Sequence, residues 1–243
     1  MTFSDCDVVV TGGTGALGAA VVGMLIEAGA RCHVPYLHAA EADRFRHRGN
    51  GAVTFIPDVN LTEEAAVARV YNGIDNLWAS IHIAGGFASG AVADTGKAQL
   101  LGQIETNLVS CFLCCRAAVK AMAGKAQNSA QNSAQTSGGR IVNVASRQAL
   151  EWRSGAGAAA YTVSKAGVAA LTMALAEEVA KDGILVNAVA PSIMDTPANR
   201  TAMPKANFAA WPKVEEVAAT ILFLASPENR VTRGGVVPVY GRS

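Results

Sequence analysis

A tyrosine and a lysine stand four residues apart in the stretch AAYTVSKAGVA, as Tyr161 and Lys165. Four residues is about one helical turn, so in a helix the two side chains project from the same face. A neighbouring ammonium group favours the phenolate and lowers the pKa of the phenol, which suits a group that exchanges a proton near neutral pH. The spacing therefore indicates an acid–base pair. The alternative is a tyrosine ring that packs on a lysine stem at a helix surface.

A glycine-rich turn lies near the start of the chain, in the stretch TGGTGALG. It follows the apolar run CDVVV and precedes the helical pattern AAVVGMLIEAGA, the context in which such a turn binds a dinucleotide. Gly12 permits a tight turn, Gly15 lets the backbone approach a pyrophosphate, and Gly18 lets the helix pack closely on the strand. The free N–H groups of the helix would face the phosphates. The alternative is a tight turn that binds no ligand.

Strand-like and helix-like segments alternate along the chain. The strand-like runs are CDVVV, CHVPY, VTFIPDV, LWASIHIAGG, RIVNVAS, ILVNAVAPS and VVPVY. Two long helical patterns cover Lys97 to Met122 and Ala159 to Lys181. Continuous apolar strands between helices are typical of a parallel sheet that is covered on both faces. The sequence therefore predicts an α/β fold, a doubly wound parallel sheet of about seven strands, in one domain over residues 1–243.

Two segments depart from this alternation. Residues 124–139 carry a tandem QNSA repeat and lack an apolar face, which predicts a low-complexity surface loop. Residues 192–212 are expected to form a substrate lid, and ordinary packing of a short helix is an equal alternative. The lid side chains expected to face the ligand are Met194, Met203, Phe208 and Trp211.

Composition narrows the function classes. The net charge of +1 gives no electrostatic reason to expect a nucleic-acid partner. The sequence contains no run of about 20 apolar residues, so we expect no membrane span. The first residues also lack the basic start and apolar stretch of a signal peptide. We therefore expect a cytoplasmic protein without a membrane partner.

The five cysteines do not predict a disulfide framework, because their number is odd and no export signal is apparent. Three of them lie in the stretch CFLCC, which has neither a second cysteine pair nor a histidine nearby in the sequence. We interpret these residues as small buried helix residues, and we expect no metal.

The glycine turn and YTVSK together are similar to motifs of the short-chain dehydrogenase/reductase family. Further matches follow in the same order along nearly the whole chain: Asp58–Val59 after the third strand, Ala84–Gly85–Gly86 after the fourth, Asn107 in the long helix, Ser146 at the end of the fifth strand, and Pro191–Ser192 with Thr196 after the sixth. The chain departs from the family pattern where HIAG replaces NNAG and where PS replaces PG.

The resemblance implies a catalytic set of Ser146, Tyr161, Lys165 and Asn107. Tyr161 would exchange a proton with a carbonyl or alcohol oxygen, and Ser146 would hydrogen-bond that oxygen. Lys165 would lower the pKa of Tyr161 and bind the nicotinamide ribose, while Asn107 would hold a water that links Lys165 to solvent. The resemblance also implies a homo-oligomer, most often a tetramer, and the apolar long helices agree with that expectation.

The same resemblance assigns NAD(P)(H) as the cofactor. The residues expected to bind it are Thr11, Gly12, Gly15, Leu17, Gly18, Tyr36, His38, Asp58, Val59, Ala84, Gly85, Tyr161, Lys165, Pro191, Ile193 and Thr196. In NAD users of this fold an acid at the end of the second strand binds the ribose 2′-OH. That position falls near Tyr36, Leu37 and His38, with no acid, and we assign Glu41 to the next helix. This favours NADP(H) slightly.

The sequence thus predicts an NAD(P)-dependent oxidoreductase that interconverts a small carbonyl compound and an alcohol. Phe87, Leu150 and Trp152 are the expected pocket walls besides the lid, but fold and motifs do not name a substrate. Two alternatives stay open: a dinucleotide-binding regulator that has lost catalysis, and a structural protein that keeps the fold without a ligand.

Overall fold

The structure is a computed structural model that describes residues 1–128 and 138–243. Within these residues, seven strands form one parallel sheet in the order β3-β2-β1-β4-β5-β6-β7. The strands are β1 (Asp7–Thr11), β2 (Arg31–Pro35), β3 (Val53–Ile56), β4 (Leu77–His82), β5 (Arg140–Val144), β6 (Leu185–Pro191) and β7 (Val236–Val239). The predicted doubly wound α/β fold is confirmed.

The central strands are buried along their whole length, because helices cover both faces of the sheet. Every residue of β1, β5 and β6 is buried, which explains why their sequences are continuous apolar runs rather than alternating ones. The helices are α1 (Ala16–Glu27), α2 (Ala39–Asp43), α3 (Glu64–Tyr71), α4 (Lys97–Ile104), α5 (Ser110–Asn128), α6 (Arg147–Leu150), α7 (Ala159–Glu178), α8 (Pro197–Ala202) and α9 (Val214–Ala225). Helices α1 and α9 pack on one face, and α3, α5 and α7 on the other.

The long helical pattern that begins at Lys97 is interrupted. A π-helical turn, Glu105–Val109, separates α4 from α5, and such turns often occur at functional sites. Helix α5 continues to Asn128 rather than ending near Met122, so the first residues of the predicted loop 124–139 are helical. Residues 129–137, which hold most of the QNSA repeat, lie outside the described residues, and the prediction of a surface loop there stays a prediction.

Two helical stretches pass a length and composition test for membrane spans, Lys97–Ala123 and Ala159–Glu178. Both contribute buried residues to the apolar core on the face of the sheet that α3, α5 and α7 cover. Core helices of α/β proteins pass the same test because one of their faces is apolar, so these two stretches are weak evidence for a membrane protein.

Candidate active site

The residues predicted to do chemistry meet at the carboxyl ends of the central strands. The strand order reverses between β1 and β4, and a crevice forms at such a reversal because the connecting helices leave in opposite directions. A cavity of about 530 Å³ lies there and is lined by Ser146, Tyr161 and Lys165. Its remaining walls are mostly apolar, among them Ile83 and Phe87.

Ser146 and Tyr161 lie beside each other in the wall of this cavity. Ser146 follows β5 and precedes α6, and Tyr161 lies in the first turns of α7. The Ser146 side chain is buried, and within the described residues its Oγ is one of two buried polar side-chain atoms without a hydrogen bond of normal geometry. Burial raises the pKa of Tyr161, and the neighbouring Ser146 hydroxyl partly opposes that rise. A buried, unpartnered hydroxyl is costly, so the pair is suited to receive a polar atom of a ligand.

Lys165 lies one helical turn beyond Tyr161 and is buried beneath it. Its Nζ donates to the carbonyl oxygen of Val144 at 2.8 Å. Burial lowers the pKa of Lys165 to about 8, because the ammonium loses hydration. The expectation that Lys165 lowers the pKa of Tyr161 is not met in this structure, since burial dominates at both groups.

Asn107 lies in the π-helical turn, which directs its amide at the loop after β4. The amide oxygen accepts from Gly86 N at 3.0 Å, and the amide nitrogen donates to Gly86 O at 2.9 Å. A Cβ atom on Gly85 would come within 2.5 Å of the Asn107 amide oxygen and 3.3 Å of Lys165 Nζ. Asn107, Gly85 and Lys165 are therefore neighbours, and the predicted water relay stays a prediction.

The glycine turn has the geometry that the sequence predicts. Gly12 has a left-handed φ of +66°, and a Cβ there would approach Ala84 N to 2.6 Å. A Cβ on Gly18 would overlap the carbonyl oxygen of Gly12, so only glycine lets α1 pack this closely on the turn. Gly15 caps α1 without a side-chain hydrogen bond. The N–H groups of the first turn are therefore free for an anion.

A second, more open groove of about 750 Å³ continues from the glycine turn. Helix α2 lines it with His38, Glu41 and Arg44. Glu41 lies in α2 as expected, but it also faces this groove, where it accepts from Thr14 Oγ1 at 3.1 Å. The sequence does not indicate this contact, because an acid that lies beyond the end of β2 reaches the groove only through the turn of α2.

The other residues predicted to bind the cofactor are distributed around the cavity and the groove. Leu17, Ala84, Gly85, Pro191, Ile193 and Thr196 line the cavity or the groove. Thr11 is buried behind the turn, where its Oγ1 accepts from Ala84 N at 3.4 Å. Tyr36, Asp58 and Val59 do not line the groove. Val59 N donates to Tyr36 O at 3.0 Å, which ties the residues after β3 to the end of β2.

His82 braces the centre of the sheet in place of the family's asparagine. Its Nδ1 lies 2.8 Å from Asn143 Oδ1, and its Nε2 lies 2.8 Å from Ser80 Oγ. Tyr71 OH lies 2.8 Å from the same serine oxygen. Asn143 Nδ2 donates to Thr172, which fixes the amide oxygen as the acceptor for His82. The HIAG sequence therefore ties β4 to β5 with an imidazole.

The structure brings His82 beside the cysteines of α5, which the sequence does not indicate. The ligand atoms of His82, Cys111 and Cys115 lie within 4.8 Å of one another. Cys115 Sγ lies 3.5 Å from both His82 Nδ1 and Asn143 Oδ1. No histidine lies near the stretch CFLCC in the sequence, but the fold places His82 beside Cys111 and Cys115. That the chain binds no metal stays a prediction.

The predicted pocket walls are only partly correct. Phe87, Met194 and Met203 line the cavity, and the Phe87 ring packs edge-on against Tyr161 with centroids 5.0 Å apart. Leu150 and Trp152 lie outside the lining, and Trp152 is 71% exposed. Phe208 and Trp211 pack on each other, with ring centroids 5.0 Å apart, instead of facing the ligand. Ser192 is not among the residues with positive φ, so PS in place of PG causes no strain.

The residues present fit a nicotinamide dinucleotide. A glycine turn with free helical N–H groups leads into a groove, and the groove leads to a cavity with a buried, unpartnered serine hydroxyl. A positive helix end suits the pyrophosphate, and a largely apolar cavity suits a nicotinamide ring beside a carbonyl compound.

Comparisons with known proteins agree with this geometry. A family model described as short chain dehydrogenase matches residues 7–207. Galactitol 2-dehydrogenase of Rhizobium johnstonii is 33% identical over 95% of this chain and 92% of its own length. The reductase FabG of Vibrio cholerae, named for 3-oxoacyl-(acyl-carrier-protein), is 28% identical over 96% of this chain and 94% of its own.

A solved structure described as ElxO with NADP bound superposes with a TM-score of 0.83 at 25% identity, and the match covers 97% of each chain. The family match, the relatives and this fold agree on one assignment. The chain therefore belongs to the short-chain dehydrogenase/reductase family and is an NAD(P)-dependent oxidoreductase.

Proposed function

We propose that the enzyme interconverts a ketone or aldehyde with the corresponding alcohol, with Tyr161 as the acid and base. The observation that carries the proposal is the buried, unpartnered Ser146 hydroxyl beside the Tyr161 hydroxyl in a mostly apolar cavity. A carbonyl oxygen between the two hydroxyls would satisfy both. The bound nicotinamide supplies or accepts the hydride.

Each residue of the catalytic set has a distinct role in this proposal. In the reductive direction Tyr161 donates its proton to the developing alkoxide, and in the reverse direction it takes the proton of the alcohol. Ser146 donates a hydrogen bond to the same oxygen and fixes its position. Lys165, whose Nζ is held by the carbonyl oxygen of Val144, would bind the nicotinamide ribose. Asn107 holds the loop at Gly86 and would hold a water that links Lys165 to solvent.

Turnover on a panel of carbonyl compounds tests this proposal. NADPH and NADH oxidation would be followed with ketones and aldehydes of increasing size, after titration of each cofactor. Saturable oxidation of cofactor by at least one compound is the expected result. Cofactor binding without turnover on any of them would favour the alternative of a dinucleotide-binding regulator.

We infer that the cofactor groove favours NADP(H) slightly. His38 and Arg44 line the groove and offer positive charge to a 2′-phosphate, whereas Glu41 repels it. NADPH should therefore bind more tightly than NADH. Titrations of the enzyme with each cofactor measure the difference in affinity.

Three variants sharpen this prediction. His38→Ala should narrow the NADPH advantage, and Glu41→Gln should widen it, because the repelling charge is removed. Leu37→Asp, at the exposed end of β2, should reverse the preference by accepting the ribose hydroxyls. Equal affinities for the two cofactors, or tighter binding of NADH, would contradict the inference and assign the adenosine half to other groups.

We propose further that the protein acts in the cytoplasm, without a membrane or nucleic-acid partner, as a homo-oligomer, most simply a tetramer. Apolar side chains on the outer faces of α5 and α7 support this: Phe112 is 50% exposed, Val163 55% and Met173 57%. Contiguous exposed apolar side chains mark interaction surfaces. Phe112→Glu should dissociate the oligomer in light scattering at micromolar concentration, whereas Val92→Glu, in an exposed 3₁₀ turn, should not. A monomeric wild-type protein would overturn the proposal.

A further inference from the structure

An arginine lies at the mouth of the cavity, and its positive charge is already paired with a carboxylate. Arg147 follows the catalytic-site serine and contributes to the cavity lining. Its Nε donates to Glu151 Oε2 at 2.7 Å, one helical turn along the chain. The guanidinium also lies over the ring of Tyr240, 5.1 Å from its centroid. The negative charge of Glu151 contributes, after burial, to the raised pKa of Tyr240. Arg147, Glu151 and Tyr240 therefore form one contact group, which we call the rim triad.

The rest of the cavity lining contains few charged groups that could contact a substrate. Among the described residues that line it, only Arg147 and Lys165 have side chains that are charged at neutral pH. Lys165 is buried, bonded to Val144 O and adjacent to Tyr161, so it does not face the far end of a substrate. The other walls beyond the catalytic set include Phe87, Met194 and Met203. An anionic substrate would lose its hydration there without gaining an unpaired cation.

We propose, building on the function above, that the enzyme selects uncharged, largely apolar carbonyl compounds, and that Glu151 determines this specificity by occupying Arg147. A carboxylate or phosphate on the substrate would have to displace Glu151 from the guanidinium. A partly exposed ion pair is weak by itself, but the stacking on Tyr240 also holds the guanidinium in place. Removing the Glu151 charge should therefore release Arg147 to accept an anion.

A matched pair of probes tests this directly. Ethyl benzoylformate and benzoylformate carry the same keto group and ring and differ in one negative charge. We expect the wild-type enzyme to have a kcat/KM at least about tenfold higher for the ester. Glu151→Gln should narrow the ester-to-acid ratio by at least about threefold, and the double variant Arg147→Gln/Glu151→Gln should restore the wide ratio.

Glu177→Gln is the matched control. It removes one carboxylate from another arginine pair, Arg233 with Glu177, at the far end of α7, and it should leave the ratio unchanged. Equal use of acid and ester by the wild type, or an unchanged ratio in Glu151→Gln, would overturn the proposal.

A binding measurement separates this proposal from the proposed reaction. Isothermal titration calorimetry of either probe into the enzyme loaded with NADP⁺ reports binding without turnover, because the oxidised cofactor cannot reduce a carbonyl group. Tighter binding of the ester than of the acid, with an affinity ratio that narrows in Glu151→Gln, supports the specificity proposal even if no carbonyl compound is reduced. Absence of reduction would defeat only the proposed reaction. Reduction of other carbonyls while neither probe binds would defeat the specificity proposal alone.

Discussion

Tyr161→Phe is expected to lower kcat by at least about 10²-fold with any carbonyl that the enzyme reduces, the usual scale of general acid–base assistance. The substitution keeps the ring, which packs edge-on against Phe87, and removes only the ionisable oxygen. Cofactor affinity should stay within a few-fold of the wild type, because the glycine turn and the groove are unchanged. Steady-state kinetics and cofactor titration on the same preparation measure both quantities.

Tyr71→Phe is the control for this prediction. The Tyr71 hydroxyl is also buried, but it contacts Ser80 in the sheet rather than the cavity. Its removal should lower the melting temperature and leave kcat nearly unchanged. Wild-type kcat in Tyr161→Phe would refute the role of this tyrosine as the acid and base.

Gly18→Ala is expected to weaken cofactor binding at least about tenfold, the equivalent of roughly 1.4 kcal/mol. The added methyl group would overlap the Gly12 carbonyl oxygen and approach Gly13 Cα to 2.6 Å. Both contacts are with backbone, which cannot rotate away, so α1 must move off the turn that positions its N–H groups. Overpacking of this kind also costs about 1–3 kcal/mol of stability. Cofactor titration and thermal unfolding measure the two effects.

Gly51→Ala provides the comparison, because a Cβ there meets no atom within 4 Å among the described residues. We expect its stability to stay within about 0.5 kcal/mol of the wild type and its cofactor affinity to be unchanged. If Gly18→Ala bound cofactor as tightly as Gly51→Ala, the close packing at the turn would have no functional consequence.

The sequence alone determined the fold class, and it predicted a candidate catalytic set of which Ser146, Tyr161 and Lys165 line one cavity. Local signals carry that information: continuous apolar runs encode buried parallel strands, and the four-residue spacing of Tyr161 and Lys165 requires only a helix. The glycine turn is equally local, because the backbone geometry at Gly12 depends on neighbours in the chain. These features were therefore predictable without knowledge of what packs against them.

The tertiary structure decided what depends on distant contacts. It buried Tyr161 and Lys165 deeply enough that desolvation, not their mutual attraction, governs both pKa shifts. It turned Glu41 into the cofactor groove and brought His82 beside the cysteines of α5. It also excluded Trp152 from the cavity and paired Arg147 with Glu151 and Tyr240 at the cavity mouth. The spacing of residues along the chain fixes which face of an element they share, but burial and partners across elements arise only when the sheet and its helices pack together.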